Sequence, residues 1–129
     1  MKVGLIGEKL GHSFSKIIHN QIADYKYDLI ELTSDELKDF LTEKEFKAVN
    51  VTIPYKKTVM PFCRMTDTAR YMGSVNTLVR QEDGSILGHN TDYFGFEMML
   101  KKSGLAVSGK KVLVLGSGGA ANTAIAVLQ

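Results

Sequence analysis

The 129-residue sequence predicts an α/β fold, a mainly parallel sheet flanked by helices. Three features carry that prediction. Short apolar runs alternate with segments of helical periodicity along the chain, the pattern that builds strand, helix, strand units. Near the end, Val112 to Leu115 is apolar on both faces, as a strand covered by helices above and below is. Between these regions an Asp83-Gly84 pair separates two apolar runs and marks a hairpin turn.

Val3 to Gly7 reads as the first strand, and Ser15 to about Asp24 as a helix with Ile17, Ile18 and Ile22 at helical intervals. Tyr27 to Leu32 is a second strand. Ser34 then precedes DELKDFLTEKEF, where acidic residues fill the first turn and Leu37, Phe40 and Leu41 form an apolar stripe. Ala48 to Ile53 is a β-branched strand closed by Pro54, which lacks a ladder donor and disfavours helix in the residue before it. Val75 to Arg80 and Ser85 to Gly88 are the hairpin strands, and Tyr93 to Lys102 is a helix ended by Gly104. Lys111 to Gln129, KVLVLGSGGAANTAIAVLQ, reads as a buried strand, a glycine turn and a helix start. The residue that grips a nucleotide ribose lies about 20 residues past such glycines, beyond Gln129. The expectation is therefore most of one domain plus the opening of a second.

Composition narrows the function classes. With 44% hydrophobic and 23% charged residues the chain can build its own core. Its net charge of +2 is spread along the sequence, which argues against a nucleic-acid surface. The single Cys63 sits in apolar MPFCRM and reads as a packed thiol in a reducing compartment. The N-terminal apolar run breaks at Glu8, too early for a signal-peptide core, and no stretch approaches a membrane span. A cytoplasmic protein is expected. His12 and His19 lack metal-ligand spacing, so no metal site is expected.

Ligands of open α/β sheets collect outside the carboxyl ends of the strands. The residues there share a character: His12, Ser13 and Ser15 after the first strand, Thr52, Pro54 and Lys56 after the third, Asn76 and Thr77 at the hairpin, then Asn90, Thr91 and Asp92. Hydroxyls and amides with one ammonium and one carboxylate suit a small polyhydroxylated acid. Each also has a plainer reading. Ser15 and Asp92 can cap the helices they precede, Asn76 and Asn90 can shape turns, and composition does not separate Lys56 from Lys57.

The combination goes further. GEKLGHSFSKIIHN, NVTIPYKK, GSVNTLVR and GHNTDYFGF, in this order and ahead of VLVLGSGGA, resemble the shikimate dehydrogenase family over nearly the whole chain. The resemblance implies a shikimate-binding catalytic domain over residues 1–104 and the start of an NADP-binding Rossmann domain over residues 105–129. It implies reversible NADPH-dependent reduction of 3-dehydroshikimate to shikimate, on the route to chorismate and aromatic amino acids, with NADP as cofactor. Alternatives within reach are a quinate or quinate/shikimate dehydrogenase and a non-catalytic shikimate-binding module. By the same resemblance Ser13 and Ser15 would bond the substrate carboxylate, and Thr52, Asn76 and Asn90 the ring hydroxyls. Lys56 and Asp92 would be the catalytic pair. Gly116, Ser117, Gly118, Gly119 and Ala120 would begin the phosphate loop, where small residues let backbone approach a pyrophosphate at a helix N-terminus. Lys16 stands where the family usually has proline, and Ser74 and Ser117 replace alanines. The piece alone is expected to bind substrate without turnover. Its apolar tail is expected to be disordered, packed back on the first domain or paired in a homodimer.

Overall fold

In the computed structural model, which describes residues 1–129, strand β1 (Lys2–Gly7) sits inside the sheet. Helix α1 (Ser15–Ile22) leads to β2 (Asp28–Glu31) on one side of it, and helix α2 (Ser34–Glu43) leads back to β3 (Phe46–Val51) on the other. Both neighbours run parallel to β1. A 3-10 turn over Met60–Phe62, strand β4 (Arg64–Met65) and helix α3 (Asp67–Met72) follow. Strands β5 (Thr77–Arg80) and β6 (Ile86–His89) form the hairpin, with Gly84 at φ 78°, the left-handed conformation such a turn needs. Helices α4 (Asp92–Ser103) and α5 (Gly119–Leu128) complete the chain.

The sheet order is β2-β1-β3-β5-β6-β4. β3 pairs antiparallel with β5 and β5 with β6, while β4 and β6 are parallel, so three of the five strand pairs are parallel. The consequence for function is geometric. The double reversal through β5 returns β6 to the direction of β3, so the carboxyl ends of β1, β3 and β6 and the start of β5 share one edge.

The main core lies under α2, whose Leu37, Phe40 and Leu41 pack with Ile6, Phe46, Val49, Val51, Leu78 and Ile86. Phe40 stacks on Phe46 at 5.3 Å between ring centroids. The helix starts one residue earlier than expected. Thr33, not Ser34, is its N-cap, its hydroxyl accepting the Glu36 N–H while the Glu36 carboxylate accepts the Thr33 N–H. On the opposite face a smaller cluster joins Leu5, Leu10 and Tyr27.

The isoleucines of α1 lie on a helix as their intervals imply, and they face solvent: Ile17, Ile18 and Ile22 are 58%, 53% and 68% exposed. One sequence expectation needs correction. Val112 to Leu115 forms no strand, and Leu113 and Leu115 are 82% and 88% exposed. An apolar segment becomes a strand only where another strand accepts its hydrogen bonds, and none lies beside this one. The helix after it does form, and α5 packs against α4. No helix is long and apolar enough to cross a membrane.

Candidate active site

Lys56 follows β3 in a turn closed by the Tyr55 N–H bonding to Thr52 O at 3.0 Å. Tyr55 is buried, and its hydroxyl donates to Leu32 O at 2.6 Å. The Lys56 carbonyl in turn accepts the Val75 N–H at 2.8 Å. Anchored backbone on both sides holds Lys56 at the sheet edge, whereas the Lys57 carbonyl accepts the Met60 N–H at 3.1 Å, in the turn that leads away from it. At the first residue of α4, Asp92 meets the Lys56 side chain, whose Nζ lies 2.5 Å from Asp92 Oδ2. The two side chains keep 31% and 40% exposure, so both face a cleft and neither is sealed in the core.

Asn76 fixes the other oxygen. Its Nδ2 donates to Asp92 Oδ1 at 2.9 Å and to Thr91 Oγ1 at 2.8 Å, while its Oδ1 accepts the Thr91 N–H at 2.8 Å. Asn76 is almost fully buried, at 8% exposure, and both of its amide protons are in use.

The Lys56–Asp92 pair borders a cleft walled by Ile53, Pro54, Lys57, Ser74, Gly119 and Thr123, and separates two others. One is walled by Ser15 and His19 of α1, Leu5 of β1, Asn50, Val51 and Thr52 at the end of β3, and Asn76. Its lining is mostly hydroxyl, amide and imidazole. The other is walled by Thr91, Gly95, Phe96 and Met99 on the α4 side and Ala120 and Thr123 of α5. Its lining is largely apolar. Both clefts include Lys56 and Asp92.

Five residues singled out from the sequence, Ser15, Thr52, Lys56, Asn76 and Asp92, share the polar cleft. Ser13 and Asn90 do not line it. The Ser13 hydroxyl accepts the Ser15 N–H at 3.2 Å, holding the first turn of α1. Asn90 is 2% exposed; its Nδ2 donates to Ser74 Oγ at 2.9 Å and its Oδ1 accepts the Tyr93 N–H at 3.3 Å, which pins the start of α4. Sequence reasoning missed Asn50 and His19. Strand and helix periodicity carried the signal: Asn50 and Thr52 are two apart in an extended segment, and Ser15 and His19 are four apart on one helix face.

Two ionisable groups depart from their ordinary behaviour near this region. Burial pushes the Tyr27 phenol up to about 12, the neighbouring Tyr25 adds to the rise, and a hydrogen bond with the Ser15 hydroxyl opposes it. Burial also pushes the Cys63 thiol up, which keeps it protonated and suits a packed role. No group of three or more His, Cys, Asp or Glu side chains could hold a metal ion.

The glycine segment leaves the N-terminus of α5 open. Gly116 has φ 130°, Gly118 is the N-cap of α5 with no side chain capping it, and a Cβ built at Gly118 or Gly119 meets nothing within 4 Å. The first amides of α5 are therefore open to an anion, and Ala120 borders the apolar cleft.

Residues 5–78 match the shikimate dehydrogenase substrate binding domain family. The shikimate dehydrogenase (NADP(+)) of Caldicellulosiruptor bescii is 42% identical over 96% of this chain and 46% of its own length. Shikimate dehydrogenase 1 of Peptoclostridium difficile superposes with a TM-score of 0.90 at 34% identity, covering 99% of this chain and 51% of that one. The Thermus thermophilus shikimate 5-dehydrogenase, crystallised with NADP(H) and shikimate, superposes with a TM-score of 0.86 at 29% identity, covering 99% and 51%. The chain spans about half the length of the curated relatives it matches. With the matched segment covering most of the sheet and the polar cleft, the chain belongs to the shikimate dehydrogenase substrate-binding-domain family.

Proposed function

We propose that this chain is the substrate-binding half of an NADP-dependent shikimate dehydrogenase, which interconverts 3-dehydroshikimate and shikimate. The observation that carries the reading is the Lys56–Asp92 pair standing between a polar cleft and an apolar one. A ring acid fits the first. A nicotinamide fits the second, reached from the Gly116, Ser117, Gly118, Gly119 and Ala120 loop. Residues 1–104 form the catalytic domain in this reading and residues 105–129 begin the cofactor domain.

NADPH, when bound, supplies the hydride. The carbonyl oxygen of the ring gains an electron pair as that hydride adds to carbon, and Lys56 donates a proton to it from the ammonium. Asp92 holds the ammonium in place, and in reverse the free amine takes the alcohol proton. Ser15 and Ser13 serve the carboxylate end, Ser15 directly and Ser13 by fixing the α1 turn. Thr52 and Asn50 offer their polar groups to ring hydroxyls, Asn76 acts at the Asp92 end of the cleft, and Asn90 holds the loop that carries Asp92.

The decisive experiment uses the full-length protein with 3-dehydroshikimate and NADPH. Lys56→Ala should lower kcat about 10²- to 10⁴-fold with a smaller change in KM. An unchanged kcat removes Lys56 from the reaction. Equal or better kcat/KM on quinate would reassign the substrate, and shikimate binding without turnover would leave a non-catalytic module.

A cytoplasmic setting completes the reading, supported by the unpaired Cys63. So does a homodimer, supported by the exposed Leu113 and Leu115. Light scattering on residues 1–129 and 1–109 tests the dimer, and equal monomeric masses reject it.

A further inference from the structure

We propose that Tyr27, Asn50 and Thr77 are positioning residues for Asp92, acting through a one-way chain of hydrogen bonds that crosses the sheet and ends on its carboxylate. Tyr27 Oη donates to Asn50 Oδ1 at 2.8 Å, Asn50 Nδ2 to Thr77 Oγ1 at 3.0 Å, and Thr77 Oγ1 to Asn76 Oδ1 at 3.1 Å. Asn76 Nδ2 then donates to Asp92 Oδ1 at 2.9 Å. Sheet register makes the middle of the chain possible, because Asn50 of β3 and Thr77 of β5 are direct partners. Their side chains therefore project from the same face.

Each link dictates the next. A phenol has one proton to give, so Tyr27 holds the Asn50 carbonyl oxygen and leaves its amide to face Thr77. The Thr77 hydroxyl, already an acceptor from Asn50, turns its single proton to Asn76 Oδ1. Together with the Thr91 N–H, which donates to the same oxygen at 2.8 Å, that bond turns the Asn76 NH₂ toward Asp92. Reversed, Asn76 would set a carbonyl oxygen against a carboxylate. With Oδ1 held, Asp92 presents Oδ2 to Lys56. Donors aligned head to tail also polarise one another, which strengthens the terminal bond.

The distal end is built to stay a donor. Tyr27 is 1% exposed, and its ring stacks on His19 at 3.9 Å between centroids. Its raised ionisation keeps the proton in place through the physiological range. Because Asn50 and His19 also line the polar cleft, the chain runs from the cleft floor to the pair that faces both clefts.

The structural claim is independent of the proposed reaction, and only its kinetic consequence rests on that reading. The first test is nuclear magnetic resonance on residues 1–129. Thr77→Val keeps the β-branched shape and removes the hydroxyl, and should shift the Asn76 side-chain amide and the Asp92 carboxylate carbon. Thr77→Ser should restore both. Tyr27→Phe keeps the stacking ring and should move Asn50, Asn76 and Asp92 in diminishing steps. An Asp92 carboxylate carbon that stays at its wild-type position in both Thr77→Val and Tyr27→Phe overturns the proposal. The second test is kinetic, on the full-length protein: Thr77→Val should lower kcat about tenfold with KM changed less than about twofold, and Thr77→Ser should recover it. Loss confined to KM, or Ser failing to rescue, counts against positioning. Wild-type protein inactive on 3-dehydroshikimate, with the resonance shifts present, would sink the assigned reaction while the hydrogen-bond chain stands.

Discussion

A phenol buried beside the polar cleft is the clearest residue-level reporter in the molecule. Tyr27 ionises at about 12 against an ordinary value of 10, because burial disfavours the phenolate and nearby Tyr25 adds to the effect. The folded state thus favours the protonated form. Its contribution to stability is fully present below pH 10 and is lost as the pH rises from 10 through 12. Ultraviolet titration should show a phenol ionising near pH 12 that is missing from Tyr27→Phe; an identical titration curve for the two proteins would remove the effect. The same scale shows what residue types alone convey. Lys56 and Lys57 are indistinguishable in composition, and only the bond from Val75 N–H to Lys56 O and the approach of Asp92 separate them. Asn76 and Asn90 read alike, yet one reaches Asp92 and the other is occupied by Ser74 and Tyr93. Spacing conveys that an amide is present and not which way it points, since each amide also answers to a partner 16 residues away.

Helix α2 carries the strongest local signals of any element, and its start should be sensitive to one hydroxyl. Thr33→Ala removes the acceptor for the Glu36 N–H and should cost about 1 kcal/mol, measured as a lowered denaturation midpoint with unchanged slope. A midpoint within error of wild type would mean that Ser34 takes over the cap. The Glu36 carboxyl is held below its ordinary range by its bonds to Thr33, so its contribution is present at neutral pH and is lost as the pH falls into the acid range. Elements were legible where periodicity and packing agree. The Leu37, Phe40 and Leu41 stripe is buried as its spacing implies, whereas the equally regular Ile17, Ile18 and Ile22 stripe faces solvent. Periodicity reports a helix in both cases; burial depends on what lies opposite. The stretch from Met60 to Met72 holds a 3-10 turn, a two-residue strand and a six-residue helix, each too short for either period to register. Val112 to Leu115 fails for the opposite reason, having the pattern of a buried strand with no neighbouring strand to pair with.

At the scale of the molecule, the order of elements announced an α/β sheet, but not that β5 runs against β3 and carries β6 back parallel to it. That reversal converts four separated sequence blocks into one edge, where Ser15, Thr52, Lys56, Asn76 and Asp92 meet. In the proposed function the two clefts divide the labour. The polar one is complete in its α1, β1 and β3 walls, so the 129-residue chain should bind shikimate by itself. Binding should be weak, with a Kd of about 1 mM, because the cleft is open to water and its hydroxyls must give up solvent for each contact. The apolar cleft is walled by α4, α5 and the Lys56–Asp92 pair, and the amides at the start of α5 carry no side-chain cap. In the proposed function α4 and α5 alone would have to orient a nicotinamide against the ring, and hydride transfer depends on holding the reacting atoms about 3–3.5 Å apart. Residues 1–129 should therefore show shikimate-dependent shifts at Ser15, Asn50 and Thr52 and no consumption of NADPH with 3-dehydroshikimate. Measurable NADPH oxidation by this chain, abolished by Lys56→Ala, would mean that the glycine loop and α5 suffice to position the cofactor, and the division into a binding half and a cofactor half would have to be redrawn.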